Sequence, residues 1–323
     1  MKQLFFFSSI ILFVGIGVWL VLTSKDSTPF TFLQTQTRMA PEIKEMPREP
    51  LTLLFGGDMM LDRYIRTVAK RKGEDFLLAP LQKLLHSGDV VIANLEGPIT
   101  DKPSVSETSV VGEAKNYVFT FPPESANFLK RNNIGIVNLG NNHSLNFGSE
   151  GVIATKQFLE AAGIRYFGSP LPHDTRYTVT EMRGLKIGFV NYNEFLYQGK
   201  EKALADIASV KPHADLVILY THWGKEYVPA LPSVKDLAHE FIEAGVDVII
   251  GSHPHVIQEK EVYQGKTIYY SLGNFIFDQY QDRATQEGLL VRLTIDHETR
   301  ALTFEDIPIF LQSTGQATLE RKP

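Results

Sequence analysis

The residues in this chain that could do chemistry are few and regularly placed. His253 and His255 close the stretch Gly245-Val-Asp-Val-Ile-Ile-Gly-Ser-His-Pro-His-Val256. Asp58 follows Gly56-Gly57, Glu96 follows Asn94-Leu95, Asn142-His143 follows Leu139-Gly140-Asn141, and His222 precedes Trp223. Imidazoles mixed with hard oxygen donors suit Mn, Fe or Zn better than Ca. Two carboxylates, an amide and three histidines could hold one or two divalent ions and activate water for in-line attack on a phosphorus or carbonyl centre. Each residue also has a plainer reading. Asp58 could cap a helix, Glu96 and Asn142 could be turn residues, His222 could pack on Trp223, and His143 could sit in a left-handed turn. The two readings part on whether the chain gathers these groups in one place.

Their setting argues that it does. Each lies just past a short apolar run: 51–55 before Asp58, 89–93 before Glu96, 134–138 before Asn142 and His143, 216–220 before His222, and 246–250 before His253. Runs of this length, rich in β-branched residues, read as buried strands. Pro254 fixes its own φ and keeps His253 out of the helical region, so the segment is extended or turned. In an extended backbone, residues two apart point to one side, which aims His253 and His255 together. In open α/β sheets, sites form beyond the carboxyl ends of strands, so groups two hundred positions apart can converge.

Helical patterns fill the intervals, near 76–86, 125–132, 150–162 and 234–244, the third closing on Gly163. A hairpin is expected over 176–182 and 186–191, and further strands over 267–271, 275–277, 289–295 and 302–308. The polar stretch Thr100 to Thr120 suits a loop over a site. Alternating βα units with hairpins indicate an α/β core containing a mixed sheet or two stacked sheets.

With 323 residues, 43% of them hydrophobic, the chain can bury a full core. Its net charge of −5 and lack of a basic run argue against nucleic acid as a partner. There is no cysteine, so disulfides, thiolate metal sites and thiol nucleophiles are excluded. Leu4 to Leu22 is an uncharged apolar run, long enough to match a hydrocarbon core of roughly 30 Å. No small-residue cleavage site follows it, and Lys2 precedes it, which places the bulk of the chain outside. The expected organisation is a signal-anchor helix over 1–23, a Thr- and Pro-containing tether over 24–50, and one domain over 51–323. The expected location is the cell membrane, single-pass, with the domain on the extracytoplasmic side.

The motifs GGDMMLDR, NLEGPI, NLGNNHSLNFG, THWGKEY, GSHPHV and YSLGNFIFD occur in this order between Gly56 and Asp278. Together they resemble the CapA capsule-synthesis (poly-γ-glutamate) family, itself similar to the calcineurin-like metallophosphoesterases. The resemblance implies a four-layer α/β/β/α sandwich with mixed sheets and a site at one sheet edge. By position it implies Asp58, Glu96, Asn142, His222, His253 and His255 as metal ligands. His143 is implied to protonate or stabilise the leaving oxygen, and Asn94 and Asn274 to contact substrate. Three positions depart from the superfamily pattern. Met60 stands where a histidine is usual, Glu96 where a bridging aspartate is usual, and Asn146 where an acidic residue is expected. The implied function is a metal-dependent hydrolase of phosphoesterase type in exopolymer production. Its alternative is a metal-binding accessory subunit beside a membrane polymer synthase or exporter.

Overall fold

The computed structural model describes residues 49–319. The expected 1–23 helix and nearly all of the 24–50 tether lie outside them. Among the described residues no helix is long and apolar enough to cross a membrane.

The first part of the chain runs β1 (Leu51–Met59), α1 (Arg63–Lys72), α2 (Gln82–Leu85), β2 (Val90–Leu95), α3 (Glu124–Arg131), β3 (Ile134–Asn138), α4 (Gly148–Ala161) and β4 (Arg165–Phe167). The middle runs β5 (Tyr177–Met182), β6 (Leu185–Asn193), α5 (Gly199–Val210), β7 (Leu216–His222), α6 (Pro232–Ala244) and β8 (Val248–Ser252). The last part holds β9 (Lys260–Tyr263), β10 (Lys266–Tyr269), β11 (Asn274–Ile276), α7 (Arg283–Gln286), β12 (Glu287–Ile295), β13 (Leu302–Leu311) and β14 (Ala317–Leu319). One sheet has the order β14-β13-β12-β1-β2-β3-β4, with β11 beside β1. The other has the order β5-β6-β7-β8-β10-β9. Both are mixed: β1 to β4 and β6 to β8 run parallel, while β12 and β5 pair antiparallel.

The alternation of apolar residues along the strands sets the layers. Leu53, Phe55, Ile92 and Ile136 meet Ile187, Phe189, Ile218, Tyr220 and Ile250 in a core between the two sheets. The residues in between face outward. Leu54, Val91 and Val137 pack with α1, α3 and α4, and Val217, Leu219 and Ile249 pack with α5 and α6. Three apolar cores thus separate four layers, α/β/β/α, with the central parallel strands buried on both faces.

The structure differs from the sequence expectations at identifiable points. The helix expected over 76–86 is broken into tight turns and leaves only α2, because Pro80 interrupts the pattern. β1 and β7 continue through Asp58 and His222, so these two residues lie in strands and not past them. The tail strands β12 and β13 extend the first sheet by pairing with β1. The sequence pattern leaves α1, β4, α5, β9, α7 and β14 unassigned.

One local irregularity positions the site. From Phe55 to Asp58 the chain takes three steps against two on β2, where the partners are Ile92 and Asn94. This bulge turns Asp58 to the inter-sheet side that Phe55 and Ile92 already occupy. Glycine makes it possible: a Cβ at Gly57 would stand 1.8 Å from the carbonyl oxygen of Gly273, so β11 could not lie against β1.

Candidate metal centre

The strand ends of both sheets meet at one edge. Asp58 from β1, Glu96 just past β2 and His222 at the end of β7 are all fully buried. Their donor atoms lie within 4.8 Å of one another. Beside them the donor atoms of His253, His255 and Glu226 form a second such group within the same distance. His255 joins the two, with Nδ1 3.5 Å from Asp58 Oδ2 and Nε2 3.6 Å from Glu96 Oε1. Asn142 Oδ1 lies 2.9 Å from His222 Nε2, and His143 Nε2 lies 3.8 Å from Glu96 Oε1. All the sequence-implied ligands therefore fall in one cluster.

Of the two conformations expected for the His-Pro-His segment, extended or turned, the chain takes the turn, and His253 and His255 converge through it. Their φ values are +98° and +57°, so the segment turns through the left-handed region, with the rings 6.0 Å apart. The His253 N–H donates to Asp58 Oδ2 at 3.0 Å, which fastens this turn to β1.

Asn94 and Asn274, implied as substrate contacts, are both fully buried. Asn94 Nδ2 donates to Asp58 Oδ1 at 2.7 Å, and its Oδ1 accepts from Asn138 and Asn141 at 3.0 Å each. Asn274 Oδ1 lies 2.9 Å from His255 Nδ1. Each amide therefore holds a side chain of the cluster in place, Asn94 the Asp58 carboxylate and Asn274 the His255 ring. Met60, where a histidine is usual in the resembled superfamily, is fully buried, and its sulfur accepts from the Asp62 N–H.

The residue that sequence reasoning missed is Glu226. It sits in the turn after β7, where Gly224 and Tyr227 have positive φ and the Tyr227 N–H donates to Pro254 O at 3.0 Å. That bond lays the turn on the His-Pro-His segment. The available signal was Glu226's place inside the THWGKEY motif itself.

The donor set fits a divalent cation on three counts. Both oxygens of Glu96 and Nδ1 of His253 are buried without a hydrogen-bond partner, a costly state that a bound cation relieves. The 2.9 Å between His222 Nε2 and Asn142 Oδ1 matches the roughly 3 Å expected for neighbouring ligands at about 2.1 Å from one octahedral ion. The electrostatics point the same way. Burial raises Asp58 to about 6, and burial followed by the Asp58 charge holds Glu96 well above the usual carboxylate range. Burial also lowers His143 and His253 to about 4, His255 to about 3 and His222 well below its ordinary value. Neutral imidazoles are the form a dication binds, and its charge would offset the burial that raises the two carboxyl groups.

The loop over 100–120 walls one side. Its bridge from Ile99 to Phe121 closes the base, and the buried Asp62 carboxylate accepts from Ser104 (2.9 Å), Ser106 (2.8 Å) and the Thr120 N–H (2.9 Å). A cleft of about 560 Å³ is lined by Arg63, Asn116, Tyr117, Tyr227 and Gln279 among others. Arg63, ion-paired with Asp278, stands over the rings of Phe119 and Phe277. Those rings pack on His143 (4.3 Å) and His255 (4.8 Å), so the cleft adjoins the cluster.

Comparison with known proteins agrees with the motif pattern. The PGA biosynthesis protein CapA of Bacillus subtilis (strain 168) is 29% identical over 312 residues, which cover 90% of this chain and 80% of that protein. The capsule biosynthesis protein CapA of Bacillus anthracis is 29% identical over 306 residues, 87% of this chain and 72% of that one. Among solved structures, the NAD nucleotidase of Haemophilus influenzae superposes with a TM-score of 0.44 at 13% identity, over 84% of this chain and 54% of that one. The chain thus spans about half the length of that structure. A family model described as bacterial capsule synthesis protein PGA_cap matches residues 52–279, the stretch that contains every residue of the cluster. The protein belongs to that bacterial capsule synthesis family.

Proposed function

We propose that this protein is a metal-dependent hydrolase of phosphoesterase type that acts in capsule or exopolymer production. The observation that carries the reading is the pair of ligand groups at one sheet edge, with the Glu96 carboxylate buried and unpartnered between them. A divalent ion bound there, Mn, Fe or Zn, supplies Lewis-acid activation of water. The remaining work falls to the chain itself. Asp58, Glu96, Asn142, His222, His253, His255 and Glu226 bind and orient the ions. His143 handles the proton of the reacting oxygen, and the 100–120 loop and Arg63 wall the substrate's path. The apolar run over 4–22 supports an outward-facing domain tethered to the cell membrane. A membrane polymer synthase or exporter is the partner this location fits.

A second reading has one observation in its favour. Met60 brings no ligand to the cluster and turns its sulfur to Asp62, which suits a protein that binds metal and holds polymer without cleaving it.

The test is metal content of the protein purified without chelator, followed by hydrolysis of phosphoesters and of the polymer itself. The expected result is one or two equivalents of metal, with activity abolished by chelator and by His255→Ala. Wild-type protein that takes up no metal on reconstitution overturns both readings. Metal uptake without hydrolysis, with polymer production intact in His255→Ala cells, replaces the first reading by the second.

A further inference from the structure

We propose that Asn274 and Asn146 are positioning residues. They hold His255 and His143 in one tautomer, with the proton on Nδ1 and a bare Nε2 facing the cluster. The proposal deepens the metal reading, but its first readout does not depend on it.

Asn274 carries the argument furthest. Its Nδ2 lies near three acceptors, the carbonyl oxygens of Thr285 (2.9 Å) and His255 (3.4 Å) and Oε1 of Gln279 (3.1 Å). An amide flipped the other way would set its oxygen against two carbonyl oxygens, so the orientation is fixed. Oδ1 therefore accepts, and the His255 Nδ1 2.9 Å away must donate. Nε2 of the same neutral ring is then a lone pair, 3.6 Å from Glu96 Oε1.

His143 follows the same logic with a different partner. Asn146 Oδ1 receives the Phe119 N–H at 2.8 Å, so it is the acceptor toward His143 Nδ1 at 3.1 Å as well. Its bare Nε2 faces Glu96 Oε1 at 3.8 Å. His222 is held the other way round: its Nδ1 faces the Asn94 amide N–H at 3.4 Å and its Nε2 faces the Asn142 oxygen at 2.9 Å, contacts that favour a proton on Nε2 in the metal-free protein. His253 stands apart, because its Nδ1 has no partner. Which ring nitrogen binds is set by the hydrogen bond the other one makes. Two rings locked alike thus meet an ion without tautomer exchange.

The experiment is a ring-nitrogen NMR spectrum of the full chain, ¹⁵N-labelled on histidine, metal-free and near neutral pH, with signals assigned by single His→Gln variants. His143 and His255 are expected to show unprotonated Nε2. Asn274→Ala should move His255 toward the Nε2–H form and weaken Mn²⁺ binding by about 10- to 100-fold. Asn146→Asp, which keeps an acceptor for Nδ1, should leave the His143 tautomer unchanged, whereas Asn146→Ala should not. A wild-type spectrum with His255 protonated on Nε2 overturns the proposal whatever the variants do. So does a folded Asn274→Ala protein with tautomer and affinity unaltered. Unprotonated Nε2 in a protein that takes up no metal would uphold the positioning role and overturn the metal reading alone.

Discussion

The two halves of the cluster are built on different principles. Asp58, Glu96 and His222 are fully buried and come from strand ends; the register of β1 on β2 sets the first two, and the packing of one sheet on the other brings His222 to them. His253, His255 and Glu226 come from turns. Both histidines lie at positive φ, and Glu226 retains partial exposure. A ligand on a strand moves only if a sheet moves, whereas one in a turn is held by a few bonds such as His253 N–H to Asp58 and Tyr227 N–H to Pro254. The strand half is expected to be the tighter and less adaptable position, and the turn half the one that adjusts to substrate.

The most damaging way to break this contrast leaves every ligand untouched. Gly57→Ala puts a methyl 1.8 Å from the Gly273 carbonyl oxygen. It should destabilise the fold by about 3–4 kcal/mol in urea denaturation by forcing β11 off β1. A loss below about 1 kcal/mol would show that the bulge tolerates the shift. Asp58→Ala should weaken metal binding by at least about 100-fold, read by calorimetric titration. If one equivalent survives in the turn half, the halves are separable. Loss of both would show that His255 and Asp58 make them a single unit.

Acid is expected to act mainly through the histidines. A buried histidine whose folded pKa is depressed lets the unfolded chain bind protons first, so stability falls as pH drops from 6.5 toward about 4 for His143 and His253, and toward about 3 for His255. Asp58 and Glu96, raised by burial, act oppositely. For Asp58, stability is gained as pH falls from about 6 toward 3.8. With His222 also depressed, the imidazoles outweigh the carboxyls. The metal-free protein should lose on the order of 2 kcal/mol between pH 7 and pH 5. Equal or greater stability at pH 5 would assign the dominant burial cost to the carboxylates. The smallest effect belongs to Glu226→Gln. It should weaken one equivalent about 10-fold and leave the other unchanged, and weakening of both would contradict the division.

Much of the fold was readable because buried parallel strands announce themselves. The run Ile134–Asn138 is found as expected, and the apolar runs in 51–55, 216–220 and 246–250 mark buried strands as expected. The helix over 76–86 misled, since a leucine pattern survives in sequence even where Pro80 breaks the hydrogen-bond ladder. Glu226 was hidden for a related reason. Nothing in composition distinguishes a ligand carboxylate from a solvated one until a turn is laid against its partners.

By itself the sequence determined which groups could bind a metal and that strands would carry them toward one edge, because both follow from residue type and local periodicity. Only the tertiary structure decided which way Asp58 faces. Strict alternation from Leu54 would have turned it to the helix layer, and the extra residue in the Phe55–Asp58 bulge reverses that. It likewise decided the roles of Asn94, Asn146 and Asn274. An amide's orientation is set by the donors and acceptors around it, and those come from strands and turns far away in the chain.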